Sequence, residues 1–193
     1  MLGEKNNATV AFLTDGGCLI SANESDYSSD EACKKTISGL NAILPDNRIK
    51  HVVLGQYWGF YSKKDPKLFE RALHTMQKWP FDEINQRKLF VLMDYRCEPG
   101  FFDLKKFNIN RLFPQPIPRS SFIVEYPKSN TWETANQKVK NALENMATII
   151  ETEHFVCKEG KCDLLEAYCD DDHLKSSFIF EHGSWIDCVF DFK

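Results

Sequence analysis

The chain has 193 residues, of which 42% are hydrophobic and 27% charged, so its composition is that of a folded globular protein and not of a disordered one. Its net charge of −4 and its lack of a dense Lys/Arg cluster argue against a nucleic-acid partner. The sequence has no run of about 18 apolar residues, which excludes a membrane-spanning helix within it.

Length and the N-terminal residues bear on domain organisation. A chain of this size can build one well-buried core, and we expect a single domain over residues 1–193. The first residues, Met-Leu-Gly-Glu-Lys-Asn-Asn, contain no apolar core of a signal peptide. If the protein is exported, we expect a segment absent from this chain to direct it there.

Strand and helix patterns alternate from the N-terminus. Residues 8–13 are a short apolar run that predicts a buried strand, and a Gly-Gly pair follows it in a sharp turn. Ser28 or Ser29 is expected to cap a helix over residues 30–44.

Residues 51–58, His-Val-Val-Leu-Gly-Gln-Tyr-Trp, predict a central strand whose first half is apolar on both faces, as in parallel sheets. In open α/β sheets, ligands bind beyond the carboxyl ends of the strands. Gln56, Tyr57 and Trp58 therefore fall where a binding site is expected. The alternative is that the two aromatic residues only pack under a helix.

The middle of the chain adds three elements. Asp65-Pro66 opens a helix whose apolar residues recur at core spacing up to Trp79. Residues 88–95 predict the next strand, and residues 121–126 a short edge strand. Between these strands, residues 96–120 contain four prolines and predict a long connection of the kind that often carries function.

The C-terminal part begins with the longest helix pattern. Asn130-Thr131 is expected to cap a helix that extends to about Glu151. Residues 154–156 predict a short strand, and residues 178–190 a closing helix. The alternation of strands and helices predicts an α/β fold with three α/β/α layers and a mostly parallel sheet.

Seven cysteines are many for a reduced protein of this size. Cys18 and Cys33 flank a polar loop, and a bridge between them would contribute roughly 3 kcal/mol by closing a loop of about 15 residues. Cys157 and Cys162 bracket the turn sequence Lys-Glu-Gly-Lys and would pair as a hairpin staple. An odd number remains, so at least one thiol is free among Cys97, Cys169 and Cys188.

A zinc site is the competing account of the C-terminal cysteines. Cys157, Cys162, Cys169 and His173 have the spacing C-x4-C-x6-C-x3-H. Structural zinc sites usually have tighter pairs, which makes this spacing a poor match. The account belongs with a cytosolic α/β protein whose cysteines are reduced or metal-bound.

The stretch Asp170-Asp171-Asp172-His173 carries the residues best suited to acid–base chemistry. With Asp170 three positions ahead of His173 on a turn entering a helix, the carboxylate can accept a hydrogen bond from imidazole Nδ1 while Nε2 faces a cleft. The alternative is an acidic turn whose aspartates cap the following helix.

With these residues the chain resembles a known family, the SGNH-hydrolase-like domain at the C-terminus of acyltransferase-3 (AT3) membrane proteins that O-acylate bacterial surface polysaccharides. The resemblance covers nearly the whole chain and depends on three blocks taken in order. These are Leu13-Thr-Asp-Gly-Gly-Cys18 with Cys33, the strand and aromatic residues of 51–61, and Cys157 and Cys162 followed by Asp170-Asp-Asp-His-Leu174.

The resemblance implies a Ser-His-Asp mechanism in which His173 is the base and Asp170 orients it. It also implies an oxyanion contact from Gly17 and substrate contacts from Gln56, Tyr57 and Trp58. The implied partners are an acyl donor, a polysaccharide acceptor and an AT3 membrane domain in the same polypeptide, on the periplasmic or other extracytoplasmic side. It implies neither a cofactor nor a metal.

One departure from the family pattern concerns the nucleophile. The sequence has no Gly-Asp-Ser block, and Thr14-Asp-Gly-Gly17 has Gly where the Ser would stand. Either the chain is a fragment that lacks the first strand and its Ser, which we expect, or it is a natural form without the nucleophile. In both cases the chain alone should be nearly inert. The alternative function is a non-catalytic carbohydrate-binding or interaction domain.

Overall fold

The structure is a computed structural model that describes residues 13, 18–27, 29–81, 87–94, 123–125, 130–152, 157–159, 161–163 and 177. The chain forms two compact units. One comprises Met1–Asp94 with Ser129–Glu151, and the other Tyr95–Lys128 with Thr152–Lys193. The predicted elements at residues 8–13, 96–120, 154–156 and 178–190 lie outside the described residues, Leu13 excepted. That the whole chain is one domain remains a prediction.

The first unit is built on a parallel sheet. Its strands are β1 (His51–Gly55), β2 (Lys88–Leu92) and β4 (Ala147–Ile150), in the order β1-β2-β4. Val52 lies opposite Leu89, and Leu89 opposite Ala147, so side chains in register share a face. The predicted α/β fold with a mostly parallel sheet is confirmed.

Within the described residues, four α-helices accompany this sheet: α1 (Glu31–Ile43), α2 (Trp58–Lys64), α3 (Pro66–Met76) and α4 (Asn130–Leu143). Each contributes to one hydrophobic core with alternate residues of the strands. This alternation follows from the two-residue period of a strand, which puts every second side chain on the same face. The core members at the centre of this packing are Leu54, Leu89, Val91, Leu40, Trp58, Phe69, Met76, Ala135, Val139 and Leu143.

Helix starts follow capping chemistry. Asp30 caps α1, since its carboxylate accepts a hydrogen bond of 3.1 Å from Cys33 N–H, so the predicted cap at Ser28 or Ser29 was wrong by one or two residues. Asp65 caps α3 in the same way through Leu68 N–H at 2.9 Å, with Pro66 in the first turn as predicted.

Two predicted boundaries were wrong. The strand predicted over residues 51–58 ends at Gly55, because Gln56 and Tyr57 form a turn and Trp58 begins α2. The helix predicted to extend to Glu151 ends at Leu143, and Ala147–Ile150 forms β4 instead. The β-branched run Thr148-Ile149-Ile150 favours a strand, although its apolar spacing also continues the helical pattern.

The second unit contains a small antiparallel sheet of β3 (Ile123–Glu125), β6 (Lys161–Asp163) and β5 (Cys157–Lys158), in that order. The predicted strand at 121–126 is present as β3, at the edge of this sheet. Strands β5 and β6 form a hairpin in which Cys157 lies opposite Cys162, and Glu159 at its turn has a positive φ of 51°. A disulfide between Cys157 and Cys162 joins the two paired strands and fixes the register of this hairpin.

Candidate functional site

The carboxyl ends of β1 and β2 bring polar residues together at one edge of the parallel sheet. Gln56 and Tyr57 follow β1, and Asp94 follows β2 two residues after its last paired position. Because β1 and β2 pair in parallel with Gly55 opposite Leu92, both strands deliver the residues that follow them to the same edge. This edge is the candidate site.

The side-chain amide of Gln56 has a hydrogen-bond partner for its oxygen but, among the described residues, none for its nitrogen. Its Oε1 accepts a hydrogen bond of 3.4 Å from the hydroxyl of Ser21, a residue only 1% exposed. Its Nε2 is buried and has no hydrogen-bond partner within the described part of the chain. A buried donor without an acceptor costs about 1–3 kcal/mol, so this group is suited to receive an oxygen from a ligand.

Ser21 reaches Gln56 because the loop that carries it is tied down. The Cys18–Cys33 disulfide closes the loop, with the two Cα atoms 5.4 Å apart. Inside it, the Tyr27 hydroxyl accepts a hydrogen bond of 2.8 Å from Leu19 N–H, and Asp26 pairs with Arg71 of α3 at 2.7 Å. Burial raises the pKa of Tyr27, which keeps this hydroxyl neutral. The disulfide loop therefore supports one side of the candidate site.

Tyr57 packs beside an exposed aromatic ring at this edge. It is half-buried, and its ring stacks on that of Phe60 at a centroid distance of 5.8 Å and an interplanar angle of 27°. Phe60 is 45% exposed, and the Lys64 ammonium lies 5.2 Å from its ring centre. The edge thus presents an aromatic surface beside the amide of Gln56.

Trp58 has a different position from the one predicted. Its side chain is fully buried, its Nε1–H donates a hydrogen bond of 2.9 Å to the carbonyl of Leu92, and its ring meets Phe69 edge-on at 6.5 Å. A ring enclosed in this way does not stack on a sugar. Trp58 instead fastens the start of α2 to the end of β2, beneath the candidate site.

Asp94 is the residue at this edge that sequence reasoning missed. It is 7% exposed, and its Oδ2 accepts a hydrogen bond of 2.6 Å from Gly59 N–H. Trp58 N–H donates a hydrogen bond of 3.0 Å to the Gln56 carbonyl. Burial raises the pKa of Asp94 to about 7, while the nearby backbone N–H groups of Gly59 and Trp58 act in the opposite direction. The signal in the sequence was an aspartate that ends an otherwise apolar strand.

Asn136 of α4 holds the backbone at Asp94. The Asn136 Oδ1 accepts a hydrogen bond of 3.2 Å from Asp94 N–H, and its Nδ2 donates one of 3.1 Å to the Asp94 carbonyl. Asn136 is 7% exposed, so this pair of bonds is shielded from water. The end of the central strand is therefore held in place by a neighbouring helix.

Both predicted disulfides whose cysteines are described are present in the structure, Cys18–Cys33 and Cys157–Cys162. The zinc account was wrong for Cys157 and Cys162, because a disulfide leaves no thiolate to bind a metal. Among the described residues there is no group of three His, Cys, Asp or Glu side chains that could hold a metal ion. Cys97, Cys169 and Cys188 lie outside the described residues.

Asp170, His173 and Gly17 also lie outside the described residues, so their catalytic and oxyanion roles remain predictions. In the described ranges, no helix is both long enough and apolar enough to span a membrane.

A family model described as "SGNH domain (fused to AT3 domains)" matches residues 2–178, which is nearly the entire chain. No curated protein and no solved structure matches. The family's description indicates an acyltransferase- or esterase-like role, in a membrane-associated protein that carries an AT3 domain. The resemblance stated from the sequence is confirmed: the chain belongs to the family of SGNH domains that are fused to AT3 domains.

Proposed function

We propose that this chain is the SGNH-type domain of an enzyme that O-acetylates a surface polysaccharide on the extracytoplasmic side of a membrane. The observation that carries the proposal is the family match over residues 2–178. The unsatisfied Nε2 of Gln56 at the carboxyl edge of the sheet supports it, because it offers a donor where this fold class binds ligands.

In the proposed reaction, a serine hydroxyl that this sequence does not supply attacks the carbonyl of an acyl donor. His173 takes the hydroxyl proton, and the leaving group receives it. A sugar hydroxyl then attacks the acyl-serine and gives its proton to His173, which returns it to the serine oxygen. Asp170 orients the imidazole throughout, and Gly17 N–H stabilises the oxyanion.

The described residues have supporting roles in this scheme. Gln56 donates a hydrogen bond to an oxygen of the sugar or the acyl group, and Tyr57 contacts the acceptor at the same edge. Trp58 does not touch substrate, since it is fully buried, and keeps the Gln56–Tyr57 turn attached to β2.

The test is the acetyl content of the surface polysaccharide in cells that produce the full-length protein carrying this chain. We expect His173→Ala to abolish acetylation, because the base is lost. His74→Ala is the matched control, since His74 is an exposed histidine on α3. Wild-type acetylation with His173→Ala would overturn the catalytic assignment.

A second comparison tests the substrate contact. We expect Gln56→Ala to lower acetylation, because it removes the donor at the sheet edge. Gln137→Ala, at an exposed position on α4, should leave it unchanged. If a purified full-length protein binds the polysaccharide without transferring acetyl, and binding ignores changes at Asp170 and His173, the non-catalytic alternative is correct.

A further inference from the structure

The turn that carries Gln56 and Tyr57 is fixed by a residue that follows the neighbouring strand, β2. Helix α2 begins at Trp58, directly after this turn, and Tyr57 at its N-cap position makes no side-chain capping hydrogen bond. The amide groups of its first turn therefore need another acceptor. Asp94, 35 residues further along the chain, supplies it through Gly59 N–H.

The position of Asp94 is fixed from two neighbouring helices, α4 through Asn136 and α2 through Gly59. Asn136 holds its backbone with two hydrogen bonds. Gly59 approaches so closely that a Cβ atom there would lie 2.9 Å from Trp132 Cβ and 3.5 Å from Asp94 Oδ2. A side chain at position 59 would therefore clash with α4. Because glycine has none, its backbone amide can approach the Asp94 carboxyl closely.

We propose that Asp94 is a positioning residue of the candidate site, which sets the place of Gln56 and Tyr57 by accepting the hydrogen bond from the Gly59 backbone amide. The proposal rests on the proposed function for what the site binds. The positioning itself is a property of this chain and is tested on its own.

An ordinary helix cap would explain the same hydrogen bond without any role in the site. Asp65 is such a cap, because its exposed carboxylate accepts a hydrogen bond from Leu68 N–H at the start of α3. The two aspartates therefore form a matched pair. Both cap consecutive helices, but only Asp94 is joined to the turn that bears Gln56.

The experiment is amide NMR of the ¹⁵N-labelled chain, comparing wild type, Asp94→Asn and Asp65→Asn. In the wild type at about pH 8, where Asp94 is ionised, we expect the Gly59 amide proton far downfield, since a bond to a carboxylate is about twice as strong as one to a neutral acceptor. In Asp94→Asn it should move upfield, and the side-chain NH₂ signals of Gln56 should shift with it. Asp65→Asn should leave both groups of signals in place.

These signals decide the proposal. Gln56 side-chain signals that remain unchanged in Asp94→Asn would overturn it, whatever happens to Gly59, because the carboxyl would then be a cap alone. The asparagine keeps the size of the side chain and one acceptor, so the variant is expected to fold. If it does not, the wild-type pH titration replaces it: Gln56 and Gly59 must then shift together with one midpoint, and separate midpoints would count against positioning.

Transfer activity of the full-length protein separates this proposal from the proposed function. We expect Asp94→Asn to lower kcat/KM for the polysaccharide by on the order of tenfold or more, since small displacements of binding groups are costly in an active site. Asp65→Asn should leave it unchanged. If the wild type transfers no acetyl group, the proposed function fails while the NMR result still decides whether Asp94 positions Gln56.

Discussion

The carboxylate of Asp94 accepts a hydrogen bond of 2.6 Å from the backbone N–H of Gly59, and this bond joins the end of the central strand to the first turn of α2. The turn between β1 and α2 contains Gln56 and Tyr57, the two half-buried residues at the carboxyl edge of the sheet. A buried carboxyl group is thus part of the support of the candidate site.

The stability of the protein should depend on pH through Asp94. Burial raises the pKa of this carboxyl from 3.8 to about 7, so the folded protein binds its proton more tightly than the unfolded chain. The stabilisation is therefore complete below about pH 4 and is lost as the pH rises through about 7. We expect the Asp94 contribution to the free energy of unfolding to fall by on the order of 2 kcal/mol between about pH 5 and about pH 8.

Urea denaturation of wild type and Asp94→Asn at the two pH values measures this contribution as a difference between the proteins. The difference is needed because burial lowers the pKa of His51, whose stabilisation is present at high pH and is lost as the pH falls. That opposite trend is common to both proteins and cancels. A wild-type minus variant difference that is constant with pH would contradict the prediction.

Gly59→Ala should destabilise the fold. The new Cβ would lie 2.9 Å from Trp132 Cβ and 3.2 Å from Trp132 Cα, so the backbones of α2 and α4 would have to move apart. Overpacking of this kind costs about 1–3 kcal/mol, measured as a lower free energy of unfolding.

Gly39→Ala in α1 is the control for that substitution. Among the described residues, its Cβ would meet the end of the Leu13 side chain at 3.4 Å, which is an ordinary contact. Because alanine favours a helix interior over glycine, this variant should be more stable by about 0.5–1 kcal/mol. Equal effects of the two substitutions would mean that helices α2 and α4 do not touch at Gly59.

The sequence predicted this site in part, for reasons that particular residues make clear. Apolar runs located β1 and β2, and the rule for parallel sheets placed Gln56 and Tyr57 at their carboxyl edge. Cysteine spacing predicted the Cys18–Cys33 bridge, since the polar loop between them has few other constraints. These features depend on neighbours in sequence, or on a general property of the fold class.

The missed features depend on distant partners. Asp94 gains its role from Gly59 and Asn136, which lie 35 and 42 positions away, and no local pattern indicates such contacts. Trp58 was predicted to contact substrate because it falls at the carboxyl end of the predicted strand, but its indole donates to the Leu92 carbonyl in the core. Strand β4 was predicted as helix, because its isoleucines fit both the helical period and the strand period. Only the pairing with β2, which is distant in sequence, makes this segment a strand.

Removing the Cys18–Cys33 disulfide should cost about 3 kcal/mol of stability, because it closes a loop with a sequence separation of 15. The Cys157–Cys162 bridge, with a separation of 5, should be worth about 2 kcal/mol by the same relation. Chemical denaturation of the two double Cys→Ala variants compares them. A larger loss from the hairpin bridge would show that loop closure is not the main effect.

The first of these variants should also change the candidate site. Without the bridge, the loop that brings Ser21 to the Gln56 Oε1 is less constrained, so the Gln56 side-chain NMR signals should shift or broaden. The hairpin variant serves as the control and should leave them unchanged. Sharp, unshifted Gln56 signals in the Cys18/Cys33 variant would mean that the loop holds its shape without the disulfide.

Trp58→Phe should destabilise the protein even though the ring stays aromatic. The substitution removes the indole N–H that donates to the Leu92 carbonyl and leaves that partly buried acceptor without this donor, which costs about 1 kcal/mol or more. Phe60→Leu is the comparison at an exposed aromatic position of the same helix, and there the free energy of unfolding should change by less than about 0.5 kcal/mol. Urea denaturation measures both. If Trp58→Phe left stability unchanged while weakening polysaccharide binding, the indole would contact substrate directly and its assignment to the core would be wrong.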